Sequence, residues 1–465
     1  MTPIGWVFLI VGPVLAVSRR RWLYAVTVFF LPFTATGVAN IGTGEDASAV
    51  QISMYLGTFL IARFVFDWMR TAKVLWPRSE RTALGWLAAF LVSTAVSLVM
   101  PVILNGAEQI PSKTLLDLST TPLELTAHNV TGVLYILFGF LFAYCVAVFS
   151  RRRANMLLSI RSFMAGSIFA ALWAVIEFIC KFTGVTYPAA VFNTGTAAST
   201  LGYRQILGSG VFRLSSVAVE PSIFAQTLLI ALCLYIPFMS RSRCLFGRRI
   251  DRAWIALLLV VLLCTTSSTA YLGILVLVAA TTVSVPSKMR LRFLVAGTFT
   301  GLIAVAGYFT IPVFQSVFSA VLLNKNGSAS ALERLMTIQN SWEMFLRHPI
   351  LGVGWESIAS HDLVVHILAN AGMVGFVCFA GAMFVILQRL HRSVRSKQRQ
   401  SCQDIQVDSG IYLALVVTLV TSAVSGFLNV FGFFWFICGL GIAGGSMATE
   451  SESMNRSGLL PEATA

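Results

Sequence analysis

Apolar residues in this chain fall into runs of about 15 to 25, the length that crosses a bilayer as a helix. The runs recur from Pro3 to Met447, broken by short polar or basic segments. They predict spans at 3–18, 22–39, 50–69, 82–103, 130–149, 157–181, 219–238, 253–266, 268–285, 291–312, 363–388, 410–426 and 430–447. The run from Ala253 to Val285 is too long for one ordinary helix and is divided at Thr265–Thr269, TTSST. The run from Ile411 to Gly445 is divided at SGFLN for the same reason. The expected fold is an all-α polytopic membrane protein with about 12–13 transmembrane helices. Residues 1–447 form its membrane domain, followed by a disordered tail at 448–465.

Composition agrees with this pattern. Of the 465 residues, 57% are hydrophobic and 11% charged, against roughly 25% charged in soluble domains. A formal charge of +14 would suit a nucleic-acid partner. The basic residues are instead scattered between spans, with no soluble domain to hold a duplex, so no nucleic-acid partner is expected. The eight cysteines form no C-x-x-C pair, which argues against a zinc site or a disulfide framework. The first apolar stretch lacks a preceding basic region and does not read as a cleaved signal.

The basic residues also orient the spans. One set of connections, around Arg19–Arg21, Arg70–Arg81, Arg151–Arg161, Arg241–Arg252, Lys288–Arg292 and Arg389–Arg399, holds 24 Lys and Arg. The alternate set holds 7, at positions 113, 181, 204, 213, 325, 334 and 347. Positive charge marks the cytoplasmic side, so the first set faces inward and the amino terminus outward. The outer side then owns three sizeable loops, at about 104–129, 182–218 and 313–362, carrying short amphipathic helices. Function is expected on these long loops. No internal repeat is visible, which argues against a secondary transporter.

The loop at 313–362 is the richest in candidate chemistry. Ser330-Ala-Leu-Glu333 fits a capping box that starts a helix. Leu335, Trp342, Phe345 and Leu346 give it an apolar face, and His348-Pro349 stops it. Arg334 is expected in the first turn, where the helix dipole disfavours a cation; either it pairs with a neighbour such as Glu333 or a ligand needs it there. Gly352-Val-Gly354 permits a tight turn back to the membrane. His361 opens the next span, where a neutral imidazole can take a proton, or can simply be a hydrated helix end. His366 is five residues on and is expected to face another side, so the two do not form an i, i+4 metal pair.

The second loop ends in VFRLSSVAVEPSIFAQTLL. Glu220 ahead of Pro221 is well explained as a helix start, and is also a candidate base. Arg213 approaches the membrane through apolar neighbours, where a pyrophosphate would satisfy it through paired hydrogen bonds. Weaker candidates are Arg204, Asp362, His366 and Glu177, an acid within the sixth span. His128 and Asn129 are expected at the interface, and Ser267, Ser268 and Tyr271 either line a cavity or satisfy the turn. No H-E-x-x-H, Asp-x-Asp or glycine-rich nucleotide loop appears.

The stretch from Ser330 to Gly375, with its helix, its HP-x-LGVGW turn, His361 and then Gly372-x-x-Gly375, resembles the bacterial O-antigen polymerase/O-antigen ligase superfamily. Arg213 to Phe224 resembles the R…EPS-x-F form of exopolysaccharide and O-antigen polymerases. The resemblance implies a glycosyltransferase of the inner membrane whose site faces the periplasm. It implies that Arg213 and Arg334 hold a polyprenyl pyrophosphate, and that His361, or Glu220, activates the acceptor. The implied partners are a lipid-linked oligosaccharide and membrane lipids, with a chain-length regulator and a flippase as further candidates. An arginine cradle can replace a metal, so metal independence and no cofactor are expected. Two departures stand out. Asp362 follows the histidine where Asn, Ser or Gln is usual, and TTSST lacks the arginine that the ligase branch carries at that turn. The polymerase is therefore favoured over a ligase acting on lipid A core or protein, and over a transporter or flippase of lipid-linked sugars.

Overall fold

Inside a bilayer the backbone must satisfy its own polar groups, and long apolar runs therefore become helices. The computed structural model describes residues 1–41, 48–70, 78–111, 119–195, 213–239, 244–284, 329–395, 402–426 and 429–444. Its helices are α1 (Pro3–Val17), α2 (Arg20–Phe29), α3 (Ile52–Arg70), α4 (Arg78–Ser97), α5 (Val99–Ile103), α6 (Ala127–Ser150), α7 (Arg153–Thr183) and α8 (Ala189–Phe192). They continue with α9 (Pro221–Met239), α10 (Arg248–Cys264), α11 (Ser268–Ser284), α12 (Ala329–Arg347), α13 (Leu363–Arg395), α14 (Cys402–Ser425) and α15 (Gly432–Ala443). Among the described residues seven helical segments are long and apolar enough to cross a membrane, and three shorter apolar helices accompany them. The chain is an all-α, multi-pass membrane protein.

Both predicted divisions occur. The polar run at Thr265–Ser267 separates α10 from α11, with Thr266 in the left-handed region at φ 47°. The chain leaves helix again between Ser425 and Gly432. The span expected at 22–39 is corrected: α2 ends at Phe29, and Gly37–Ile41 (β1) pairs antiparallel with Ser48–Gln51 (β2). Pro32 follows the end of α2, and the extended residues find backbone partners across the hairpin instead of along a helix. A second small hairpin joins Gln109–Pro111 (β3) to Thr120–Pro122 (β4). The span expected at 291–312 and the tail at 448–465 lie outside the described residues.

The bundle centres on α9, 94% of whose spanning window is buried, and α14 packs along it. The α6–α15 contact is close because glycines face large side chains: Gly139 lies against Trp435, and Gly439 against Ala143 and Val146. The helices give the bundle two chemically distinct ends. At one, Arg20 and Arg63 meet Asp67 at 3.1 and 3.5 Å, and Arg151 meets the buried Glu80 at 2.6 Å. At the other lie both hairpins, the end of α12, the turn at 348–362 and the starts of α6, α9 and α13. There Arg347 and His348 meet Glu108 at 3.2 and 3.1 Å.

Candidate functional site

Arg213 and Glu220 are set by the start of the central helix. Pro221 occupies the first helical position, and the Phe224 N–H donates to the Glu220 carbonyl at 2.9 Å. The Glu220 carboxylate accepts from the Ser222 hydroxyl at 3.0 Å. The chain just ahead of it is strained, with Ser216 at φ 52°. Glu177 holds that strain in place. Its fully buried carboxylate accepts the Ser215 and Ser216 N–H groups at 3.1 and 2.6 Å and pairs with Lys181 at 2.6 Å. Lys181 also donates to the Arg213 carbonyl at 2.8 Å, and Asn193 to the Ser216 carbonyl at 2.9 Å. Glu177, one of the weaker candidates from the sequence, is a buried anchor for the segment that carries Arg213.

The glycine motifs explain how His361 is held. Gly372 breaks α13 with φ 66° and ψ −168°. The backbone groups freed by the break are taken up by the turn before it. Val353 and Gly354 N–H donate to the Ala369 and Asn370 carbonyls at 2.8 and 3.1 Å, and Met373 N–H donates to the Pro349 carbonyl at 2.8 Å. A side chain at Gly352 would run into the Ala369 carbonyl, and one at Gly372 into the Ile350 carbonyl, so this approach requires glycine. Asn370 closes the turn from within, with Nδ2 donating to the Ile358 carbonyl at 2.8 Å and Oδ1 accepting the Ile358 N–H at 3.1 Å. Asp362 caps α13, its carboxylate accepting the Val365 N–H at 2.8 Å. An amide would serve there equally, which accounts for the departure at this position without a catalytic role.

Thr337, one turn along α12 from Arg334, touches His361 Nδ1 at 3.0 Å and donates its hydroxyl proton to the Arg334 carbonyl at 3.0 Å. In the tautomer that carries its proton on Nδ1, the ring donates to the threonine oxygen and the Nε2 lone pair of a neutral ring is available. Burial pushes the His361 pKa below its ordinary value, the Arg334 charge pushes it further down, and Glu333 and Glu220 oppose both. Burial likewise lowers the pKa of Arg213; Glu220 opposes this and Arg334 adds to it. Arg213, Glu220, Arg334 and His361 therefore share one electrostatic neighbourhood, although up to 148 residues separate them in sequence.

Several expectations change. α12 begins at Ala329, ahead of Ser330, so Arg334 stands in the second turn and the dipole argument against it weakens. Leu335, Trp342 and Leu346 are exposed, whereas Phe345 is buried. The charge of His366 acts on the His361 pKa, and its ring is buried edge-on against Trp355. Asn129, at the start of α6, is buried within the protein, donating to the Trp355 carbonyl at 2.7 Å and to Ser357 Oγ at 2.9 Å. Arg204 lies outside the described residues.

Sequence reasoning passed over two further residues. Thr337 looked like an ordinary helix position, three residues after Arg334 on the same face. Glu356, which the sequence does not single out, has φ 59°, and its carboxylate meets Asn429 Nδ2 at 2.9 Å and the His128 and His366 rings at 3.8 Å each. Its only sequence signal is a glutamate directly after the G-x-G-W turn. Among the described residues no group of three His, Cys, Asp or Glu is arranged to hold a metal ion.

Residues 253–380 match the family model described as O-Antigen ligase. The matched stretch contains Arg334, Glu356, His361 and His366; Arg213 and Glu220 precede it. No curated protein matches the chain.

Proposed function

We propose that this chain, a member of the O-antigen ligase/polymerase superfamily through its residues 253–380, polymerises polyprenyl-pyrophosphate-linked oligosaccharide repeat units. The proposed site faces the periplasm at the inner membrane. The observation that carries the reading is the convergence of two arginines, a base-competent histidine and a carboxylate at one end of the bundle. The Arg334 charge acts on both Arg213 and His361, which supports a shared site for the two guanidinium groups and the imidazole. Such a pair suits a dianionic pyrophosphate, which each guanidinium can grip through two hydrogen bonds.

In the proposed reaction a hydroxyl oxygen of one lipid-linked unit attacks the anomeric carbon of another. The bond from that carbon to the pyrophosphate oxygen breaks and the polyprenyl pyrophosphate leaves with its electron pair. Arg213 and Arg334 stabilise the negative charge that develops on it. His361 Nε2 accepts the hydroxyl proton. Glu220, close enough to both Arg213 and His361 to act on their charges, favours the imidazolium as it forms. The two arginines take the role that a divalent cation has in many phosphate-leaving reactions, so the proposed reaction is metal-independent.

A ligase is the second reading, favoured by the match of residues 253–380 to the O-Antigen ligase family. The polymerase reading is supported by the α10–α11 break, Thr265–Ser267, which offers hydroxyls and no arginine. The test is the purified protein reconstituted with lipid-linked repeat units and a chelator. A ladder of lengthening glycans is expected. Transfer only to added lipid A core selects the ligase, and movement of intact lipid-linked units without chain growth selects a transporter. Loss of the ladder with chelator removes metal independence.

A further inference from the structure

Glu356 stands where a non-glycine residue is strained. Its φ of 59° lies in the left-handed region, which a long L side chain rarely enters. The strain persists because both flanking peptides are pinned. On one side Asn129 Nδ2 donates to the Trp355 carbonyl at 2.7 Å, and on the other the Ser357 N–H donates to the Gly354 carbonyl at 3.1 Å. The effect is to aim the Glu356 carboxylate into the space between His128, at the start of α6, and His366, on α13, each 3.8 Å away. Asn429 steadies it at 2.9 Å. Gly132 forms the wall behind it, and a Cβ there would overlap Glu356 Cγ. No lysine or arginine among the described residues pairs with this carboxylate, so its neighbours are an amide and two imidazoles. The His128 side chain is 60% exposed, which leaves the group open on one side.

The order of these groups across the site end matters. Arg334 acts on His361, His366 acts on His361, His366 meets Glu356, and Glu356 meets His128. Glu356 thus adjoins His366, whose charge reaches the proposed base His361. An attacking hydroxyl enters opposite the departing pyrophosphate, so a leaving group at the arginines directs the acceptor towards Glu356. A carboxylate beside imidazole and amide groups suits adjacent sugar hydroxyls, each of which both donates and accepts.

We propose that Glu356, His128 and His366 form a second subsite that binds the hydroxyl groups of the acceptor sugar. The side of the site assigned to it rests on the polymerase reading; the sugar-binding chemistry does not.

The experiment uses the purified full chain and, as probe, the repeat-unit oligosaccharide released from its lipid by mild acid. Binding is measured by isothermal titration. Replacing Glu356 by Gln removes a charge-assisted hydrogen bond and should weaken binding about tenfold or more. His128→Asn, at an exposed position that folding tolerates, should weaken it about two- to fivefold. Gly132→Ala displaces Glu356 without removing a polar group and should follow Glu356→Gln. In chain growth, with labelled lipid-linked polymer fixed and single lipid-linked repeats varied, the same variants should raise the KM for the single repeat while kcat changes little. Wild-type affinity in folded Glu356→Gln or His128→Asn protein overturns the proposal, as does absence of sugar binding by the wild type. Glu356-dependent sugar binding without any chain growth removes the polymerase reading and leaves the subsite standing.

Discussion

The two ends of the bundle use arginine in opposite ways. At the basic end cations are matched to acids within the protein: Arg20 and Arg63 to Asp67, and Arg151 to Glu80, with Arg389 4.0 Å from the same carboxylate. At the site end Arg213 and Arg334 act on each other as like charges, and Glu220 only partly offsets the loss of water around Arg213. Bringing two cations together in a half-buried place costs stability, and the fold holds Arg213 there through a strained, heavily hydrogen-bonded segment. Arginines paired with the protein's own acids at the basic end serve topology and stability; two arginines whose like charges reach each other are suited to an anionic ligand.

Substitutions should separate the two ends, and the largest effect is expected at His361. Loss of a general base costs about a hundredfold to ten-thousandfold in rate, so His361→Ala should leave single repeat units on the lipid carrier when products are sized on a gel. As the proposed base, His361 works when neutral, and its pKa is lowered. The wild-type rate should therefore rise with pH, reach half its plateau below about pH 6.5, the ordinary imidazole value, and be flat near neutrality. A half-rise well above that would assign the titration to another group. Arg213→Ala and Arg334→Ala should each lose about a hundredfold to a thousandfold, as when one preorganised charge stabiliser is removed. Lysine should rescue poorly because it lacks the planar fork. Near-normal polymer from both alanine variants would remove the cradle.

A smaller effect, about tenfold from one weakened set of charge-assisted hydrogen bonds, is expected for Glu177→Gln. If Glu177 acts only through Arg213, the double variant with Arg213→Ala should be no worse than Arg213→Ala alone. Multiplying losses would mean a general packing role. The smallest effect belongs to the basic end. Arg20→Ala breaks a pair whose arginine side chain is 42% exposed; thermal melting should register less than about 1 kcal/mol, and chain growth should be unchanged.

How much of this was readable from the chain alone varies by element. The divisions at TTSST and SGFLN were legible because polar residues interrupt long apolar runs, and a buried helix has no reason to carry them. The hairpin at 37–51 was not, since Gly37–Ile41 is as apolar as a helix end and only pairing with Ser48–Gln51 decides its conformation. Arg213, Glu220, Arg334 and His361 could each be picked out as polar groups where the membrane begins, but nothing in their spacing says that they meet. Glu177 was legible as an acid within a span, and its use as an anchor for Ser215 and Ser216 was not.

The sequence by itself determined the helical membrane class, the side preference of the basic connections and the identity of the candidate side chains. Those properties follow from local hydrophobicity, charge and periodicity, which act residue by residue. Tertiary structure alone decided which candidates share an electrostatic neighbourhood, that Thr337 touches His361 Nδ1, and that Glu356 turns into the space between His128 and His366. Each of these depends on contacts between segments far apart in the chain, and on a backbone conformation at Glu356 that its own residue type disfavours.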